Sequence, residues 1–137
     1  MRVELRKRYY CDHCKKAGGS SGHMKRHEAG CTANPARVCG VCRAAGISAQ
    51  PLPDLIALAR KLATWHVGFE EEGPAHGSLD AEAMKALREA ADNCPACILA
   101  ALRQSRCGSS EFQFKSELLK LWAEVNEAKA DGEEYGY

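Results

Sequence analysis

Six of the eight cysteines in this 137-residue chain stand in C-x-x-C pairs: Cys11/Cys14, Cys39/Cys42 and Cys94/Cys97. Thiolates are soft donors, and a tight turn that aims two of them at one point suits a tetrahedral ion such as zinc. Backbone N–H groups in such a turn also stabilise the sulfurs. The opening stretch MRVELRKRYY lacks an apolar region, so no signal peptide is expected. An intracellular protein (cytoplasmic, or nuclear in a eukaryote) is then the expectation. There disulfides do not persist, and clustered thiols bind metal or act in redox chemistry.

The spacing sorts the ligands. Twelve residues separate Cys14 from His27, and three more lead to Cys31, giving C-x2-C-x12-H-x3-C. That fits the spacing of a ββα zinc module with its last histidine replaced by cysteine. His23 and His27 also make an i, i+4 pair, but only eight residues would then follow Cys14. The hairpin would be short and Cys31 stranded. Site 1 is therefore read as Cys11, Cys14, His27 and Cys31, with His13 and His23 as non-ligands. The remaining pairs, Cys39/Cys42 and Cys94/Cys97, lie 51 residues apart and form a four-thiolate site 2. Eight ligands then serve two structural Zn2+ ions. A crossed pairing uses the same eight residues, with Cys11/Cys14 joined to Cys39/Cys42 and His27/Cys31 to Cys94/Cys97. Cys107 is left over and is read as a small buried hydrophobe rather than a reactive thiol.

Around these ligands, residues 9–31 resemble the C2H2/C2HC zinc-finger family over roughly a sixth of the chain. Tyr9 stands where the family carries an aromatic, two before the first cysteine, and Met24 where it carries an apolar helix residue. Gly18 replaces the family's core phenylalanine, so the finger's own core is thin and needs support, from Tyr10 or from the rest of the chain. The resemblance implies that Ser20, His23 and Arg26 occupy the helix positions that reach base edges. One finger of that family covers only ~3 base pairs.

With 45% hydrophobic and 27% charged residues the composition is that of a globular chain. No uncharged apolar run approaches the ~20 residues of a membrane span. The net charge of +1 conceals an asymmetry. Residues 1–43 hold ten Lys/Arg against three Asp/Glu, and residues 44–137 hold nine against fifteen. The basic head comprises Arg2, Arg6, Lys7, Arg8, Lys15, Lys16, Lys25, Arg26 and Arg37, interleaved with Tyr9 and Tyr10.

The elements that must position the ligands follow from periodicity. A short strand is expected at 3–5 and another at the tyrosine pair. A helix capped by Asp54 presents Leu55, Leu58, Leu62 and Trp65 on one face. FEEEGPAHGS is expected to be loop. A second helix starts at Ser78 or Asp80 and buries Ala83, Met84, Leu87 and Ala91. A third, capped by Asn93 with Pro95 in its first turn, buries Ile98, Leu99 and Leu102. The last runs from Phe114 or Ser116 to Ala130 over Leu118, Leu121, Trp122 and Val125, ahead of a frayed tail. The expected fold is a small zinc-stabilised α-rich (α+β) protein: a ββα-like CCHC finger and a three- to four-helix body stapled by a four-cysteine zinc site. The expected division is 1–37, a basic finger module, and 38–137, an acidic helical domain packed with it.

The function these features favour is a zinc-binding regulator that contacts DNA or RNA through the head, by way of Arg6, Lys7, Arg8, Tyr10, Lys15, Lys16, His23, Lys25 and Arg26. Cations there would neutralise phosphates and tyrosines would stack on bases. A protein-binding adaptor or inhibitor is the alternative. The CPAC sequence also suits a thiol–disulfide oxidoreductase, which needs a preceding strand. Asp12-His13 beside a C-x-x-C pair invites an HNH-like nuclease, but no downstream Asn/His pair completes it. Catalytic zinc keeps an open position, whereas both proposed sites are closed by four protein ligands, so no enzyme, no small-molecule substrate and no membrane partner is expected.

Overall fold

The computed structural model describes residues 1–66 and 75–134, with side chains to residue 128. The expected strand at 3–5 does not form: residues 1–8 have no regular structure and are exposed. The tyrosine pair does form β1 (Tyr9–Tyr10), antiparallel to β2 (Ala17–Gly18). Between them the Cys11–Cys14 turn is closed by the Cys11 N–H donating to Lys16 O at 3.0 Å. Helix α1 (Ser21–Gly30) follows at once, with Ser20 as N-cap accepting from the His23 N–H.

The seven residues after Cys31 do not extend as a linker. The Asn34 side chain donates to Glu28 O at 2.7 Å, and the Val38 N–H donates to Ala29 O at 2.8 Å. The chain is thereby folded back on the end of α1. A six-residue helix that the sequence did not announce, α2 (Gly40–Ala45), follows, capped by Cys39 and ended by Gly46. Gly46 adopts φ +68°, a left-handed conformation suited to glycine.

Helix α3 (Leu52–Leu62) starts two residues earlier than Asp54, because proline is tolerated in a helix's first turn, where its missing N–H has no intrahelical partner. It also ends earlier. Trp65, expected on its apolar face, lies instead in β3 (Thr64–His66), 43% exposed, with Nε1 donating to Arg60 O at 3.0 Å. β3 pairs antiparallel with β4 (His76–Ser78), and β4 pairs in parallel with β5 (Cys107–Gly108). In this three-stranded sheet β4 takes residues read as loop, and β3 takes the end of the stretch read as helix. The acidic run Glu70–Glu72 lies outside the described residues.

Helix α4 (Ala81–Ala90) is capped by Asp80, which accepts from the Ala83 N–H at 2.8 Å. Asp92 and Asn93, both at positive φ, reverse the chain into α5 (Pro95–Ser105). Its N-cap is therefore Cys94 rather than Asn93. Helix α6 (Phe114–Glu134) runs four residues past the expected end at Ala130; residues 135–137 of the tail lie outside the description. It is tied to α4 by Arg88, whose Nε meets Glu117 Oε1 at 3.0 Å.

Apolar faces of α3, α4 and α5 build one core. Leu55, Met84, Leu87 and Ile98 are fully buried at its centre, with Ala59, Ala91 and Ala101 allowing close helix approach. Full burial of each large side chain is worth about 1.5–3 kcal/mol. Cys94 and Cys97 belong to that same core, so the second ligand set is anchored in the best-packed part of the molecule. Leu118, Leu121, Trp122 and Val125 on α6 are only half-buried. Among the described residues the body thus has five helices and a small sheet, where three or four helices were expected.

Candidate metal centres

The eight predicted ligands come together as two sets of four: Cys11, Cys14, His27, Cys31, and Cys39, Cys42, Cys94, Cys97. In each set the donor atoms all lie within 4.8 Å of one another. Zinc–sulfur bonds of ~2.3 Å arranged tetrahedrally place sulfurs roughly 3.8 Å apart. The donor chemistry and the spacing both fit. The pairing is sequential, and the crossed arrangement is not formed.

Site 1 is assembled by the β1–β2 turn and the C-terminal end of α1. Cys14 Sγ lies 3.2 Å from His27 Nε2. The His13 N–H donates to Cys11 Sγ and the Lys16 N–H to Cys14 Sγ, each at 3.4 Å. The Lys16 N–H is the main reason the Cys14 thiol is lowered to about 7, with His27 adding to it. Burial instead pushes the Cys31 thiol up. Cys11 and Cys31 are 5% and 3% exposed. The small core around them contains Met24, with Tyr9 and Ala33 packed at its edge. Tyr10 is 66% exposed and gives the finger no support. In an antiparallel pair, neighbouring residues alternate faces, so only one of the two tyrosines turns inward. The space a larger residue at Gly18 would fill is a groove of about 350 Å³ lined by Gly18, Met24, His23 and His27.

Support comes from polar contacts instead. Arg103 Nη1 donates to Thr32 Oγ1 at 2.8 Å, and Gln104 Nε2 donates to the carbonyls of Thr32 and Asn34. The Asp12 N–H donates to Glu28 Oε1 at 3.0 Å, fastening the Cys11–Cys14 turn to α1. Glu28, the sequence's unremarked neighbour of His27, is therefore a positioning residue.

Site 2 joins the start of α2 to the start of α5. Cys39 Sγ and Cys94 Sγ are 3.6 Å apart, and Cys42 Sγ and Cys97 Sγ 3.4 Å. The Cys42 N–H donates to Cys39 Sγ at 3.4 Å. Hydrogen bonds from Cys94 and Cys97 hold the Cys39 thiol far below its ordinary range. The same contacts with Cys39 push Cys94 strongly up and Cys97 up to about 12. Cys94 and Cys97 thus hold their protons more tightly than ordinary thiols. A metal ion entering such a set displaces the retained protons. The strand a thioredoxin-type site needs before CPAC is absent: α4 and a left-handed turn precede Cys94.

Arg37 belongs to this centre rather than to the basic surface. Half-buried, it donates from Nε to Gly30 O at 3.1 Å and lies 3.9 Å from Cys97 Sγ through Nη1. In the sequence it is one cation among ten in the head, and nothing in its spacing separates it from the others.

The proposed contact residues Arg6, Lys7, Arg8, Tyr10, Lys15, Lys16, His23, Lys25 and Arg26 are all exposed. They come from three stretches of the chain. Arg6–Arg8 lie on the irregular N-terminal segment, Lys15 and Lys16 on the site 1 turn, and His23, Lys25 and Arg26 on α1. Arg26 folds back along its helix, with Nε donating to Gly22 O at 3.4 Å and Nη2 3.3 Å from His23 Nδ1. Ser20 spends its hydroxyl on capping. His13 and His23 lie outside both ligand sets. Cys107 is half-buried against the core, with its sulfur toward the Ala59 and Ser105 carbonyls. No family model, curated protein or solved structure matches this chain.

Proposed function

We propose that this protein is a zinc-held regulator, without catalysis of its own, whose basic N-terminal finger contacts DNA or RNA in the cytoplasm or nucleus. One observation carries the reading. Among the described residues, no cation of the head pairs with an acid of the body: Arg2 and Arg6 meet only Glu4 of their own segment, and Arg88–Glu117 lies wholly within the body. Apart from Arg37, the head's charge is thus unpaired with the body among the described residues, which leaves it available for phosphates. The body grips the far end of the finger at Thr32 and Asn34, through Arg103 and Gln104. The N-terminal half of α1, which enters the major groove in C2H2/C2HC-type fingers, is left exposed.

No helix among the described residues is long and apolar enough to cross a membrane. A protein partner is the second reading. It is favoured by the half-buried stripe on α6 and by Leu119, 66% exposed beside it. Fluorescence anisotropy of a labelled random duplex and a labelled single strand, titrated with zinc-loaded protein at two salt concentrations, decides between them. Binding that weakens steeply with salt, and disappears in an Arg6, Lys7, Arg8→Ala variant, supports the nucleic-acid reading. Absence of binding at low salt overturns it in favour of a protein partner.

A further inference from the structure

The finger has an open place where its sheet meets its helix. A Cβ built at Gly18 would meet only Met24 Cε, at 3.8 Å, and one built at Gly19 would meet nothing within 4 Å. Neither glycine is held in a left-handed conformation, so the backbone itself does not call for glycine at either position. Over this bare stretch and the first turns of α1 lies the groove of about 350 Å³, within the ~300–1,000 Å³ range of small-ligand sites. No site 1 sulfur lines it, so it is not the ion's own place.

The walls suit a flat aromatic ring. His23 and His27 stand four positions apart on α1, so their side chains share one face of the helix, and both line the groove with Met24. His27 Nε2 faces the site 1 thiols, so a bound ion fixes that ring. A thioether packs well against an aromatic ring, and side-chain-free backbone at Gly18 and Gly19 allows a close approach. The rim is cationic. Lys16 lines the groove, and Arg26 Nη2 lies 3.3 Å from His23 Nδ1. No carboxylate among the described residues lines it. An occupant that satisfies both floor and rim is aromatic and carries negative charge beside the ring. A base with its phosphate does so, whereas a phenylalanine side chain would leave the cations unpaired.

We propose that this groove takes one unpaired nucleobase, so that the finger prefers single-stranded nucleic acid to duplex. The inference deepens the nucleic-acid reading above and rests on it. In a duplex the faces of each base are covered by its neighbours, and extruding one costs unstacking and unpairing. The duplex therefore keeps only the phosphate contacts. Stacking of one base raises affinity by roughly 5- to 150-fold.

The test uses the full zinc-loaded chain with its methionine methyls labelled with carbon-13. An oligothymidylate, an abasic strand of the same length and a duplex are compared at one low salt concentration. The oligothymidylate should bind roughly 5- to 150-fold more tightly than the abasic strand. Its addition should shift the Met24 methyl signal and leave that of Met84, fully buried in the body, in place. Gly18→Phe, which fills the groove with a ring of its own, should bring oligothymidylate binding down to the level of the abasic strand. Zinc content shows whether that variant has folded; if it has not, the abasic comparison and the methyl shift decide on the natural chain. Absence of binding to all three probes overturns the nucleic-acid reading itself. Equal binding of oligothymidylate and abasic strand leaves that reading standing and overturns the groove. Base-dependent binding with an unmoved Met24 methyl overturns it too, placing the stack elsewhere. A Met24 shift produced by N-acetylphenylalanine amide and not by the oligomer makes a protein's aromatic side chain the occupant, against the proposal.

Discussion

Arg37 and Cys97 lie sixty positions apart in the chain and 3.9 Å apart in space. Through Nε the same guanidinium holds Gly30 O at 3.1 Å. One side chain therefore spans the end of the finger helix and the edge of the second metal centre. Arg37→Ala should lower the stability of zinc-loaded protein by about 1–3 kcal/mol, the loss of hydrogen bonds to a charged donor. Arg37→Lys should recover little, since lysine has no planar fork. Urea midpoints of the three proteins check this; equal midpoints would show that the bridge carries no energy.

Metal removal should not unfold the two halves alike. The finger's buried set is Cys11, Met24 and Cys31, and two of those three are ligands. The body holds Leu55, Met84, Leu87 and Ile98 fully buried with no metal contact. A small domain whose core is mostly ligands folds only with its ion. Chelation should therefore abolish amide protection in α1 and at the three C-x-x-C turns, while α3, α4 and the later turns of α5 keep part of theirs. Hydrogen exchange before and after chelation reads the split, and uniform loss would contradict it.

Gly77 is the tightest point of the sheet. A Cβ built there would lie 2.8 Å from both Ala63 Cβ and Cys107 Sγ. Gly77→Ala should cost about 1–3 kcal/mol through overpacking. Adding Cys107→Ala should return only part of that, since the Ala63 contact remains. Thermal melts of the single and double variants give the answer, and a neutral Gly77→Ala would mean the strands separate easily.

The exposed cations should divide into two kinds. Lys15→Ala with Lys16→Ala should weaken binding to every nucleic-acid sequence alike. It should also lower the salt dependence, by roughly 0.9 in log–log slope for each duplex phosphate left without its cation. Arg26→Ala should also change preference among sequences, by about 1–3 kcal/mol at the position read, if it leaves His23 for a base edge. Anisotropy titrations on duplexes differing at a few positions separate the two, and identical behaviour would place Arg26 among the phosphate binders.

The ligands were legible because metal chemistry restricts both residue type and spacing. Cys11, Cys14, His27 and Cys31 satisfy one set, and the pairs left over make the other. The buried stripes of α4 and α5 were legible from helical periodicity. The sheet was not. Strands of two or three residues are too short to show alternation, and β4 pairs with β5, whose sequence lies almost thirty residues away. Trp65 extended the apolar spacing of α3 by chance and misplaced that helix's end. Arg37 was hidden for a different reason: a half-buried cation and an exposed one look identical until the chain is folded.

The two centres also differ in how far the chain must travel to close them. Cys14 and His27 are thirteen positions apart, whereas Cys42 and Cys97 are fifty-five apart. Loop-closure entropy makes the longer closure costlier by about 1.3 kcal/mol. During synthesis, moreover, site 1 is complete once Cys31 has emerged, while site 2 waits for α3 and α4 to be made and for Cys97 to follow. The first centre can thus mature on the nascent chain, but the second closes only when tertiary structure brings its halves together. Occupancy of site 2 is in that sense a certificate that the body has folded.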